Sequence, residues 1–143
     1  MSEIIRVKYH ADIDHIKKIE KGDWIDLRSA EDVEMKKGEI RYISLGVSMQ
    51  LPEGFEAIIA PRSSTCKNFG IICVNSIGII DNSYHGDDDV WSFQAMAIRD
   101  TVIPKNSRIC QFRLIRNQPA LFFKTVDNLP GENRGGYGST GKE

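Results

Sequence analysis

No apolar run in the chain approaches the length needed to cross a bilayer, so nothing in the sequence points to a membrane. Met1 leads into Ser2-Glu3 rather than a basic and then apolar leader, which makes the cytoplasm the expected location. Cysteine is scarce: Cys66, Cys73 and Cys110 are odd in number and form no C-x-x-C pair. That argues against a disulfide framework or a zinc site, and each thiol is read as a small core hydrophobe. Charge of one sign is missing too, with 19 Lys and Arg against 20 Asp and Glu for a net charge of −1. Without a basic stripe, a nucleic-acid-binding module is disfavoured. Internal repeats, a second domain and sustained helical periodicity are also lacking.

What is present is strand pattern. The sequence of 143 residues, 41% hydrophobic, is long enough to bury a real core. Residues 4–9 alternate well enough for a first strand. Residues 10–21 carry Ile13, Ile16 and Ile19 at three-residue spacing, and either a short irregular helix or an exposed loop satisfies that pattern. A strand over Trp24–Ala30 holds Asp26 between two apolar residues. The clearest signal is residues 39–51, where Ile43, Leu45, Val47, Met49 and Leu51 alternate with polar or small residues, predicting one half-buried strand. Pro52-Glu53-Gly54 turns the chain into a strand over Phe55–Ala60 that stops at Pro61. Further strands are expected within Phe69–Ile80, Val90–Ile98 (with Trp91 and Phe93 on one face), Arg108–Ile115 and Leu121–Val126. Many short strands and repeated turns predict an all-β sandwich or barrel. One domain spans residues 1–128, and residues 129–143 form a glycine-rich tail expected to be flexible.

Three stretches carry chemistry. Gly78-Ile79-Ile80-Asp81-Asn82-Ser83-Tyr84-His85-Gly86 reads as a β-hairpin turning at Asn82-Ser83, which would let Asp81 and Tyr84 face one small ligand. Pro61-Arg62-Ser63-Ser64-Thr65 combines a guanidinium fork, hydroxyls and backbone N–H groups at a strand end, a set suited to phosphate oxygens. The tail Gly131–Gly141 contributes Arg134, Tyr137, Ser139 and Thr140, groups able to close over an anionic, aromatic ligand. Asp87-Asp88-Asp89 resembles a metal cluster, but adjacent carboxylates splay apart, and it is read as a solvated end of the hairpin.

Taken in order, Asp26-Leu27-Arg28, Pro61-Arg62-Ser63-Ser64, the Gly78–Gly86 segment, Arg108-Ile109-Cys110-Gln111 and the Gly-Tyr-Gly-Ser-Thr-Gly tail resemble the five motifs of the homotrimeric all-β dUTPases. The match runs from about residue 22 to residue 141, nearly the whole chain. The resemblance implies a distorted jelly roll, or β-clip barrel, assembling as a homotrimer with active sites between subunits. It implies hydrolysis of dUTP to dUMP and pyrophosphate, with Mg²⁺ bound mainly by the triphosphate. By the same resemblance Asp81 orients and deprotonates the water, and Tyr84 packs under the deoxyribose. Asn75, with the backbone of Gly78 and Ile80, reads the uracil. Arg62, Ser63, Ser64 and Gln111 hold phosphates, and Asp26 acts indirectly, through the metal's water shell or a neighbouring Arg. Arg134, Ser139 and Thr140 meet the γ-phosphate when the tail closes.

The chain also departs from the family pattern. Family tails commonly place Arg five positions before a Phe, whereas Arg134 is three before Tyr137 and Glu132 holds the usual place. His85 replaces a frequent Arg, and Trp24 stands where Gly is common. Trp91 and Phe93 lie after the hairpin, and Phe93 is expected to share or take over stacking on the base. The related dCTP deaminases need a Glu on the strand after the hairpin, and residues 90–98 contain none. A protein-binding role on the same fold is the other alternative, and the retained Asp81, Tyr84, Arg62, Ser63 and Gln111 argue against loss of catalysis.

Overall fold

A computed structural model of the protein describes residues 2–17 and 20–136. Eleven short strands and one short helix follow in the order β1 (Arg6–Tyr9), β2 (Ile25–Arg28), β3 (Val33–Met35), β4 (Ile40–Ser44), β5 (Val47–Gln50), β6 (Phe55–Pro61), α1 (Thr65–Phe69), β7 (Ile71–Cys73), β8 (Gly78–Ile80), β9 (Ser92–Ala97), β10 (Thr101–Ile103) and β11 (Arg108–Arg116). All pairings are antiparallel. A four-stranded sheet runs β2-β11-β6-β8 and a three-stranded sheet runs β4-β9-β7, with β1-β5 and β10-β3 as two-stranded pairs. The architecture is the expected all-β, jelly-roll-like one.

The core lies between the sheets, where alternation turns one side of each strand inward. Leu27, Ile43, Met49, Ile59, Phe93 and Phe112 are almost fully buried, each contributing about 1.5–3 kcal/mol by leaving water. Trp91 meets Phe112 edge-on, with centroids 5.2 Å apart. The Trp91 indole N–H is buried with no hydrogen-bond partner among the described residues.

Several expectations are corrected. The single strand over residues 39–51 is two, β4 and β5, because Gly46 takes φ +68 and turns the chain between them. The strand expected over Leu121–Val126 does not form, and Phe122 and Phe123 stand 90% and 87% exposed. Gly78–Gly86 is no hairpin: β8 pairs with β6, and residues 84–91 carry no strand. The described part of residues 10–21 has neither helix nor strand, so the loop reading holds there. Cys110 is buried as expected, but Cys66 on α1 is exposed and Cys73 half-buried. No described helix is long and apolar enough to cross a membrane.

Candidate active site

Two groups of side chains emerge, placed by opposite ends of β6. At its C-terminal end, Pro61 closes the strand and Arg62 turns away from it. The turn is fixed by Thr65, whose buried Oγ1 accepts the Arg62 N–H (2.7 Å) and donates to the Ile109 carbonyl on β11 (2.8 Å). The Arg62 guanidinium then lies against Asp26 on β2, with Nε 2.9 Å from Oδ1. Its Nη1 also donates to Ser64 Oγ (3.4 Å) and to the Arg108 carbonyl (3.3 Å). Arg108 Nη1 holds the other Asp26 oxygen at 3.3 Å. Gln111 faces Asp26 across the β2–β11 ladder, and its Nε2 donates to the Pro61 carbonyl (3.1 Å). Ser63 is exposed beside this group. Asp26, Arg62, Ser64 and Gln111 are thus brought together within one chain.

Arg108 and Thr65 belong to the same cluster; the sequence placed both within motifs but named neither as a site residue. Arg108 reaches Asp26 because the β2–β11 register shifts between Arg108 and Cys110, and an irregularity of that kind leaves no mark in periodicity. For Thr65 the available signal was its place at the end of a Ser-Ser-Thr run after Pro61, where a hydroxyl can bond a nearby backbone group.

The second group lines a cavity of about 340 Å³ that includes Asn75, Gly78, Ile80, Asp81 and Tyr84. Asp81 follows β8 and opens a tight turn, closed by the Tyr84 N–H on the Asp81 carbonyl (3.0 Å). Asn82 anchors the turn by donating from Nδ2 to the Pro52 and Phe55 carbonyls at 2.9 and 2.7 Å, a function the sequence reading missed. Ser83 donates its hydroxyl (2.6 Å) and its N–H (2.9 Å) to the same oxygen, Asp81 Oδ1. These bonds, the hydroxyl's first, lower the Asp81 pKa below its ordinary value. Oδ2 accepts no hydrogen bond among the described residues and faces solvent as a carboxylate at neutral pH. Tyr84 donates its hydroxyl to the Val90 carbonyl (3.2 Å), which fixes a half-exposed ring. Gly78 passes so close to β6 that an added Cβ would sit 3.1 Å from Ile59 Cβ.

Phe93 borders the cavity, yet its ring is 1% exposed and packs in the core, as does Trp91. The inward phase of β9 (Phe93, Ala95 and Ala97 buried) explains this. The stacking role expected of Phe93 therefore has no open ring face. Asp87 and Asp88 are exposed, and Asp89 Oδ2 accepts the Gly86 N–H (2.8 Å). Arg134 is exposed on a stretch without helix or strand, and Tyr137, Ser139 and Thr140 lie outside the described residues.

The two groups are separated by the strand that carries them. Ile80 pairs with Ala57 near the start of β6, whereas Arg62 follows its end, about 16 Å away at the rise of an extended strand. No Lys or Arg is among the described residues lining the Asp81 cavity. A carboxylate lining a cavity and a guanidinium–hydroxyl cluster are both present, set by one chain at different ends of β6.

The chain is similar to known proteins over nearly its whole length. The dUTPase family model matches residues 16–141. The SPbeta prophage-derived deoxyuridine 5′-triphosphate nucleotidohydrolase YosS of Bacillus subtilis (strain 168) is 56% identical over 138 residues, covering 96% of this chain and 97% of that protein. Among solved structures, a mutant dUTPase of Staphylococcus bacteriophage 80alpha with dUpNHpp superposes with a TM-score of 0.80, covering 98% of this chain and 99% of that one at 18% identity. A mutant dUTPase from phage phi11 of S. aureus, described with a structural Mg(II) ion, gives 0.73 at 16% identity, covering 87% and 97%. Across almost its entire length, the chain belongs to the dUTPase family.

Proposed function

We propose that the protein hydrolyses dUTP to dUMP and pyrophosphate, removing the precursor of uracil in DNA and supplying dUMP for thymidylate synthesis. The observation that carries the reading is Asp81: Ser83 takes one carboxylate oxygen, the other accepts no hydrogen bond among the described residues, and Asp81 lines a cavity with Tyr84 and Asn75. The names of the relatives, deoxyuridine 5′-triphosphate nucleotidohydrolases at up to 56% identity, support it. Phosphoanhydride hydrolysis needs an oriented water and neutralised phosphate oxygens more than a covalent nucleophile.

In this reading Asp81 Oδ2 orients the water and accepts its proton as the new O–P bond forms. The bond between the α- and β-phosphoryl groups breaks, and pyrophosphate leaves with the electron pair. A carboxylate of lowered pKa is a weak base, so aiming the water is the larger part of its task. Tyr84 packs against the deoxyribose and leaves no space for a 2′-hydroxyl. Asn75 and the backbone of Gly78 and Ile80 read the base. Arg62, Ser63, Ser64 and Gln111 bind phosphate oxygens, and the tail residues Arg134, Tyr137, Ser139 and Thr140 close over the nucleotide.

No group of three or more His, Cys, Asp or Glu among the described residues is placed to hold a metal alone. Asp26 has both oxygens on guanidinium groups. This donor set fits Mg²⁺ held mainly by phosphates and water, with Asp26 acting indirectly. When bound, the ion supplies neutralising charge to the triphosphate.

The protein is further proposed to act as a homotrimer, each site taking Asp81 from one copy and Arg62 from another. The separation of the two groups along β6 supports this. So does the apolar outer face of the three-stranded sheet, where Ile40, Tyr42, Ile72 and Val74 are exposed. The exposed Phe122 and Phe123 add a second surface of the same kind.

The test is pyrophosphate release from dUTP with Mg²⁺, beside dTTP, dCTP and UTP, with Asp81→Asn as control. Release from dUTP alone, lost in the variant, is expected. No release from any of the four nucleotides would refute the reading and leave a binding role on the same fold.

A further inference from the structure

Cys73 closes β7 and lines the same cavity as Asn75, Gly78 and Asp81, and the sequence reading gave it no part beyond packing. Its Sγ lies 3.0 Å from Asn75 Oδ1. A thiol carries one hydrogen and the amide oxygen can only accept, so the bond runs from S–H to Oδ1. An amide has two ends. With its oxygen on Cys73, Asn75 turns its NH₂ group the other way, and that group donates no hydrogen bond among the described residues. The turn that carries Asn75 is itself fixed: the Ser76 N–H donates to the Cys73 carbonyl (3.1 Å), the Val74 N–H to the Gln94 carbonyl (2.9 Å), and Ser76 takes φ +67. The backbone is therefore set, and the choice left open, which way the Asn75 amide faces, is made by the thiol.

We infer that Cys73 is a positioning residue for base selection, holding Asn75 so that an N–H donor, not a carbonyl, meets the pyrimidine. A donor there pairs with the carbonyl oxygen that uracil carries at ring position 4 and opposes the amino group that cytosine carries at the same place. Rotated by half a turn, the amide would favour the amino group instead. The inference rests on the reading of the cavity as a deoxyuridine site and adds the device that keeps its polarity. Burial pushes the Cys73 thiol up from its ordinary pKa, so the donor hydrogen is retained at neutral pH.

The experiment compares kcat and KM for dUTP and dCTP in wild-type protein, Cys73→Ala and Cys73→Ser. Cys73→Ala is expected to raise KM for dUTP by about 3- to 10-fold, the range of one neutral hydrogen bond, with kcat almost unchanged. It should also narrow the preference for dUTP over dCTP. Cys73→Ser, which keeps a donor, should recover most of both losses. A purely packing role predicts the opposite order, because Ser adds a polar group to a half-buried position. If Ala lowers the melting temperature, Cys73→Val, which leaves no cavity and has no donor, carries the same expectation. Unchanged KM and preference in Cys73→Ala, or Ser no better than Ala, would overturn the inference while wild-type turnover of dUTP stands. Absence of wild-type turnover would instead overturn the functional reading and this inference with it.

Discussion

Asp26 and Arg62, 36 residues apart in sequence, meet with Oδ1 and Nε 2.9 Å apart, while Arg108 holds the second carboxylate oxygen at 3.3 Å. One carboxylate thereby sets the position of two cations. The Arg62 side chain is 23% exposed and that of Asp26 36%, so water screens the pair and its contribution to stability is below about 1 kcal/mol. Its effect on geometry is larger, because a free Arg62 would spread over many rotamers before meeting a phosphate. Asp26→Asn is therefore expected to leave the melting temperature within about 2 °C and to lower kcat/KM by about tenfold. Thermal denaturation beside steady-state kinetics checks both. A large fall in stability with normal kinetics would contradict the assignment.

The two bonds from Ser83 to Asp81 make a prediction about pH. On the proposed mechanism activity requires the ionised carboxylate, and a lowered pKa keeps it ionised further into acid. The acidic limb of the kcat/KM profile should therefore lie below the ordinary carboxylate range. Ser83→Ala removes the hydroxyl bond, the larger cause, and keeps the backbone N–H, so the limb should move to higher pH without reaching an unperturbed value. A profile that Ser83→Ala leaves in place would mean that another group sets the limb.

Thr65 shows how a hydroxyl at the edge of the expected site supports it from within. Its hydroxyl is buried and bridges the Arg62 N–H and the Ile109 carbonyl. Thr65→Val preserves the shape and orphans both backbone groups, which should cost about 1–3 kcal/mol. Thr65→Ser keeps the bridge and should cost less. Urea unfolding midpoints of the three proteins give the comparison, and equal midpoints for Val and wild type would remove the bridge from the account.

Legibility in the sequence followed the range of the interaction. Strands β6, β9 and β11 announced themselves because a half-buried strand stamps a two-residue period on its own residues. Gly46 escaped notice because its neighbours Leu45 and Val47 continue that period, while the positive φ that divides β4 from β5 is compatible with the pattern and visible only in the fold. Leu121–Val126 misled in the opposite way, since apolar residues promise burial but do not say against what. Phe93 was placed on the correct strand with Trp91 on the same face, but alternation gives two faces without naming the one turned to the core, and both rings are buried. The members of the Arg62 cluster could be listed from their motifs. Their mutual arrangement depends on the β2–β11 register shift and on Thr65, neither of which is local.

Asp81 and Arg62 make the test of shared sites sharp. The β6–β8 ladder sets Ile80, the residue before Asp81, about 16 Å along β6 from Arg62 within one chain. If each site takes Asp81 from one copy and Arg62 from its neighbour, two inactive variants can repair each other. Asp81→Asn supplies an intact Arg62, and Arg62→Ala supplies an intact Asp81. In randomly mixed oligomers each residue is intact at a given site half the time, so about a quarter of the sites hold both. Co-expression with two affinity tags and isolation of trimers bearing both removes the all-like trimers. Each mixed trimer then has one complete site of its three, so pyrophosphate release from dUTP should return about a third of wild-type activity. Each variant alone should stay near background. If both residues served a site within one chain, every site would lack one of them, and the doubly tagged oligomers would be as inactive as their parents.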